Sequence, residues 1–230
     1  MTGFVAGMMD RRRSRAFLDD LEAFADRVAE AGLRNSLGQQ VLKLTSPGIP
    51  DIYQGTELWD DSLVDPDNRR PVDFEARVAL LEAADEPSPL WDDRRSGAVK
   101  LAVTARLLNL RATYAELFAE GDYRPLTVTG ECHRHVIAFA RSLAGQHLIV
   151  AVARLTADLD FERNETVWGD TGLDLPADID AAPFVDVLTG ATVPIATTDD
   201  RGQSLMASEL LARLPVAVLL SAGPEEGGEQ

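Results

Sequence analysis

Gly121 divides the chain between two kinds of apolar pattern. Before it, hydrophobic residues recur at three- and four-residue spacing; after it, they come in short alternating or continuous runs cut by Gly, Asp and Pro. One face of a helix is revisited about every 3.6 residues and one face of a strand every second residue, so the two halves cannot share one kind of secondary structure. The expected fold is an α+β composite, helical over 1–120 and all-β over 121–222. The tail 223–230, GPEEGGEQ, is too polar to pack and is expected to be disordered.

In the helical half, Phe17, Leu18, Leu21, Phe24, Ala25 and Val28 fall at helical spacing, with Asp19, Asp20, Glu22 and Asp26 opposite. This predicts a surface helix over Arg15–Glu30 with one buried stripe. Gly32 reads as its C-terminal cap, and Asn35 or Ser36 as the start of a second helix through Leu37, Val41 and Leu44, ending before Pro47. Ser46 to Phe74 is dense in turn residues but contains a strand candidate, Ile49–Tyr53. A short helix, Glu75–Ala84, a linker, Asp85–Gly97, and a long helix, Ala98–Glu120, complete this half. Beyond Gly121 the runs Tyr123–Val128, His135–Arg141, His147–Ala153, Phe184–Leu188 and Val216–Leu220 predict an antiparallel β-sandwich packed against Ala98–Glu120, with Gly190 in a hairpin turn.

The chain carries 38 acidic against 22 basic residues, a net charge of -16. Such a field repels phosphate backbones and anionic lipid, which argues against nucleic acid and membrane surfaces as partners. One cysteine, Cys132, excludes an internal disulfide and suits a reducing compartment; with no apolar run of about 18 residues and no signal peptide, the expected location is cytoplasmic. The stretch Gly3–Met9 is apolar with no cap or turn before it, as in a piece excised from a longer polypeptide. Cys132, His133 and His135 are ligand types, but alternate strand positions leave too few donors on one face, so no metal is expected. No glycine-rich phosphate loop follows a strand, and no cofactor is implied.

The run NSLGQQVLKLTSPGIPDIYQGTELWDDSLVDPDNRRPVDF, Asn35 to Phe74, resembles a late segment of maltooligosyltrehalose synthases, a branch of the α-amylase superfamily. The resemblance extends through KLAVTARLLNLRATYAELFAEGDYRPL and HVIAFAR and covers approximately residues 14–155. It implies the last βα unit and closing helices of a (β/α)8 barrel over 1–120, followed by a C-terminal β-sandwich. A whole barrel takes about 250 residues, so most of it would lie outside this chain. The implied activity is an isomerase-type transfer that turns the reducing-end α-1,4 linkage of a maltooligosaccharide into an α,α-1,1 linkage. The implied partners are a maltooligosaccharide or other α-glucan and the N-terminal portion of the same enzyme.

A retaining transfer needs a nucleophilic and an acid/base carboxylate about 5 to 5.5 Å apart. The family places both, and a third acid, on earlier barrel strands, so no catalytic residue is expected here; the acids Asp60, Asp61, Asp65, Asp67 and Asp73 are neighbours only in sequence. Sugar contacts are expected instead from Tyr53, Gln54, Glu57, Asp67, Asn68, Arg69 and Arg70, with Trp59 beside them, because aromatic faces and planar polar groups suit pyranose rings and hydroxyls. Structural alternatives stand beside these: Tyr53 and Trp59 packing under the loop, Asp51 bracing the strand end, and Arg69 or Arg70 paired with Glu57 or Asp73. Two further functions remain open, a non-catalytic carbohydrate-binding or interaction module and a fragment of a related glycoside hydrolase; DNRRPVDF argues against the latter.

Overall fold

The computed structural model describes residues 1–62, 70–84, 87–159, 161, 167–179, 183–198 and 202–221. The expected disordered tail, 223–230, lies outside them. The helices are α1 (Thr2–Met8), α2 (Arg15–Thr45), α3 (Phe74–Ala83), α4 (Ala98–Thr113), α5 (Ala115–Glu120) and the one-turn α6 (Ala207–Leu210). The strands are β1 (Arg124–Pro125), β2 (Val128–Thr129), β3 (Val136–Leu143), β4 (Gln146–Ala153), β5 (Gly172–Asp174), β6 (Phe184–Asp186), β7 (Thr192–Val193), β8 (Ala196–Thr198), β9 (Gly202–Met206) and β10 (Val216–Ser221).

Two antiparallel sheets form, with strand orders β1-β3-β4-β10-β6-β7 and β2-β5-β9-β8. The larger sheet is buried on both faces, which is why LIVAVA and VAVLL are continuous apolar runs. On β4, Leu148, Val150 and Val152 share a core with the helices, while Ile149, Ala151 and Ala153 share one with Leu173 of β5 and Leu205 of β9. On β10, Val216 and Val218 face the helices and Ala217 and Leu219 the second sheet. The helical layer contributes Leu37, Val41 and Leu44 of α2, Val99, Val103 and Leu107 of α4, and Phe118 of α5. Helices, large sheet and small sheet therefore stack as three layers sharing the middle one.

The expected strands at His135–Arg141, His147–Ala153, Phe184–Leu188 and Val216–Leu220 are present with shifted ends, and Gly190 sits at φ 69° in the turn joining β6 to β7. Five expectations change. The run Tyr123–Val128 is not one strand: it gives β1, which pairs with β3 in the larger sheet, and the start of β2, which pairs with β5 in the smaller one. Gly32 does not cap a helix: α2 runs unbroken for 31 residues. A mid-helix glycine costs about 1 kcal/mol relative to alanine, and the buried Leu37, Val41 and Leu44 beyond it outweigh that cost. The stripe on Arg15–Glu30 is not buried: Phe17, Leu21, Phe24 and Val28 are exposed, and only Leu18 is covered. Ile49–Tyr53 forms no strand, for its N–H and C=O groups meet no neighbouring strand among the described residues. The long helix breaks at Tyr114 (φ -110°, ψ 44°), which turns Leu117 and Phe118 of α5 towards β3.

Among the described residues, no helix is long and apolar enough to cross a membrane.

Candidate functional site

The loop between α2 and α3 starts from a fixed point. Arg111 of α4 donates from Nη1 to Leu44 O in the last turn of α2 (2.9 Å) and from Nη2 to Gly48 O (2.9 Å). The Leu44 carbonyl is one of those that a helix end leaves without an intrahelical donor. Gly48 has φ 114°, which a side chain would strain, and the chain then runs without regular secondary structure to Tyr53.

At Tyr53 it turns. Thr56 donates to Tyr53 O from its N–H (3.0 Å) and from Oγ1 (2.7 Å). Glu57 Oε2 accepts from Gly55 N (2.8 Å) and from Arg77 Nε of α3 (3.2 Å), while Arg77 also donates to Gly55 O (2.7 Å) and Asp73 O (2.9 Å). Arg77 thus ties the loop's descending limb to its returning one. The partner of Glu57 is Arg77, and Asp73 caps α3 by accepting from Ala76 N (2.9 Å).

Lys100 lies at the centre of this region. It is the one charged residue in the buried opening of α4, AVKLAV, and that break in an apolar run is the signal by which sequence reasoning could have found it. Nζ donates to Leu58 O (3.0 Å) and stands 5.5 Å from the centroid of the Trp59 ring, whose Nε1 donates to Arg94 O (2.6 Å). Gln40 of α2 donates to Thr104 Oγ1 (2.9 Å), which donates to Lys100 O (2.7 Å), so α2, α4 and the loop are cross-linked by polar bonds. Burial lowers the Lys100 pKa and Lys43 adds to the fall, against the pull of Asp60 and Glu57. Asp60 is held below the usual carboxylate range, chiefly by the Ser62 hydroxyl and N–H.

A stability consequence follows from that shift. Between Lys100's lowered folded value and its unfolded value of 10.5 the unfolded chain holds more protons, so this group makes stability rise with pH in that window. In urea titrations from neutral pH into the lysine range, wild type is expected to gain on Lys100→Met as pH rises. A constant difference would show Lys100 titrating like an open lysine.

Two depressions flank the loop. One, about 370 Å³, is lined by Tyr53 and Asp51 with Gln39, Gln40, Lys43 and Lys100. The other, also about 370 Å³, gathers Gln54, Trp59, Asp60, Asp61, Arg70 and Arg77. The chain turns between Tyr53 and Gln54, which leaves the first lining one depression and the second the other. Of the expected sugar contacts, the second depression thus joins Gln54 and Arg70; Tyr53 stands exposed in the first, Glu57 braces the turn, and Asp67, Asn68 and Arg69 lie outside the described residues.

In the other half, Cys132 is buried with Sγ 3.1 Å from Val167 O, and burial raises its thiol pKa. His133 and His135 occupy a 3-10 turn, not alternate strand positions, and each Nδ1 meets a backbone carbonyl, Gly130 O (3.0 Å) and Leu155 O (3.2 Å). Among the described residues, no group of three or more His, Cys, Asp or Glu side chains could hold a metal ion.

No family model matches the chain. Over 223 residues, 90% of its length, it is 38% identical to a protein of Mycobacterium tuberculosis described as a putative maltooligosyl trehalose synthase. It spans only about a quarter of that relative, 25%. A solved point mutant of maltooligosyltrehalose synthase from Arthrobacter ramosus superposes on 96% of this chain with a TM-score of 0.73 and 36% identity, again using a minor part, 26%, of the larger molecule. An Anoxybacillus α-amylase covers 84% of the chain at a TM-score of 0.50 and 19% identity, a likeness of fold alone.

Proposed function

We propose a function from the premise that this chain corresponds to the C-terminal portion of maltooligosyltrehalose synthases: it supplies part of the wall of a glucan site whose catalytic carboxylates lie elsewhere. The observation that carries this reading is the match itself, which takes in nine tenths of the chain and a quarter of the relative. In the complete enzyme the helical half would close a (β/α)8 barrel and the two sheets would be its C-terminal sandwich. The reaction would be a retaining intramolecular transglycosylation that ends a maltooligosaccharide in trehalose.

Tyr53, Gln54 and Arg70 would meet sugar, with Asp67, Asn68 and Arg69 extending the same loop. The exposed Tyr53 shares one depression with the Gln39 and Gln40 amides, and Gln54 shares the other with Arg70; such groups suit a pyranose, whose C–H faces pack on rings while its hydroxyls need directional bonds. Glu57 would act one step back, holding the turn through Arg77. No pair of carboxylates among these residues is assigned to bond cleavage, since acids that share a loop do not straddle a scissile bond.

The purified 230-residue chain is therefore expected to form no trehalose-ended product from maltooligosaccharides. Turnover abolished by replacing one of its own aspartates would overturn this reading. Glucan retention on an affinity gel without turnover fits it, provided that Tyr53→Ala weakens retention. The same retention unaffected by changes at Tyr53, Gln54 and Arg70 would instead favour a binding module whose sugar surface lies elsewhere.

A further inference from the structure

The first half of α2 presents an apolar stripe to water. Phe17, Leu21, Phe24 and Val28 recur at i, i+4, i+7 and i+11, and the last two are 58% and 54% exposed. The opposite side carries Asp19, Glu22 and Asp26, which pair with Arg11 and Arg95. The second half of the same helix buries Leu37, Val41 and Leu44 completely. At about 100° per residue these three lie on the opposite side of α2 from Phe17–Val28, so the outer stripe is a separate apolar face that the described residues leave uncovered, a face built for a partner.

Two occupants compete. A second copy would bring two chains of net charge -16 together over a single helical stripe, whereas a stable bimolecular interface buries about 800 Å² on each side. A larger portion of one enzyme needs no such area, because a tethered contact forms at high effective concentration. The relatives supply a body of the right size, for this chain matches only a quarter of their length. We propose that Phe17, Leu21, Phe24 and Val28 form the surface on which the preceding barrel portion of a full-length synthase packs. The inference rests on the functional reading above and adds the residues that make the contact.

The test places a thiol at the stripe, Phe24→Cys, in two proteins. One is the 230-residue chain; the other is a graft in which this chain replaces the matching quarter of the Mycobacterium tuberculosis relative. Maleimide labelling is followed by peptide mapping, with the buried Cys132 as an internal gauge of folding. The thiol at 24 is expected to react freely in the isolated chain and at least about tenfold more slowly in the graft, while Cys132 stays protected in both. Equal rates at 24 with Cys132 protected overturn the inference. So does protection in the isolated chain that grows with concentration, which would assign the face to a second copy.

A second variant needs no graft. Phe24→Asp with Val28→Asp is expected to leave the melting temperature of the isolated chain unchanged; a marked fall would mean that the stripe is already covered within the chain, against the inference. Product formation by the graft reports separately on the functional reading. A graft that makes trehalose-ended product yet labels freely at 24 sinks the docking surface alone, and a protected graft without product sinks the function alone.

Discussion

Arg141→Met is expected to lower the stability of the chain by about 2 to 4 kcal/mol, the cost of leaving buried carbonyls without donors. Arg141 is 1% exposed, although arginine is almost never fully buried without a partner. Its partners are backbone carbonyls: Nη1 donates to Phe118 O (3.0 Å), Nη2 to Gly121 O (2.8 Å) and Nε to Asp122 O (3.2 Å). These are the C-terminal carbonyls of α5 and the two residues that follow, so a residue of β3 closes the helix and fixes the turn at which the helical half becomes the β half. Burial lowers the Arg141 pKa, and the nearby Arg111 adds to the fall. Arg111 and Arg141 both approach the ring of Phe118, at 4.7 and 5.8 Å, so the two cations share one aromatic face set. Arg141→Lys should recover only part of the loss, because an ammonium cannot reach three carbonyls in one plane. Urea unfolding decides it: a loss below about 1 kcal/mol for Arg141→Met would mean that water replaces the guanidinium.

The second large effect is expected at Gly38. There α2 crosses β4 so closely that a Cβ on Gly38 would stand 2.7 Å from Val152 Cγ1 and 3.7 Å from Ala153 O. Val152 is itself buried and has nowhere to retreat. For Gly38→Ala, the helix-propensity gain of about 1 kcal/mol competes with an overpacking cost of about 1 to 3 kcal/mol, so the net change is small. Gly38→Leu has no room at all and is expected to lose about 3 kcal/mol or more, lifting α2 from the sheet. The double variant Gly38→Ala, Val152→Ala should be more stable than Val152→Ala alone, since the new methyl fills the space the valine left. Non-additivity of that sign in thermal melts supports the contact. Simple additivity would show that the helix already stands clear of β4.

These two positions illustrate what the sequence could and could not disclose. The strands β4 and β10 were legible because each is long, β-branched and apolar on both faces, and the turn at Gly190 because its residues suit only a turn. Gly38 and Gly32 look alike in sequence. One is required by a neighbour distant in the chain, and the other has nothing within 4 Å of its Cβ position. The stripe from Phe17 to Val28 was read as buried because periodicity reports that a face is apolar and says nothing of whether its partner belongs to the same chain. Ile49–Tyr53 was misjudged for a related reason, as strand-like residues still need a strand beside them.

The candidate site was legible by residue type and poorly legible by arrangement. Tyr53, Gln54 and Arg70 stand out by residue type, but the turn that begins at Tyr53 puts the tyrosine and the glutamine in different depressions. Arg77 was missed because it lies 20 residues from Glu57 and reaches it only once α3 has formed. Lys100 lies farther still along the chain from the loop whose Leu58 carbonyl it holds, at a separation of 42.

The uninterrupted α2 has a mechanical consequence. At 31 residues it is about 46 Å long, and its inner half is clamped to the sheet while its outer half projects. Such a rod behaves as a lever: a tilt of about 10° at the clamp would swing the far tip by about 4 Å, by the geometry of a half-length of some 23 Å. Whatever grips the outer arm would therefore exert torque on β4, and of the two glycines inside α2 the compliant one is Gly32, since Gly38 is pressed against Val152 while Gly32 has nothing within 4 Å of its Cβ position.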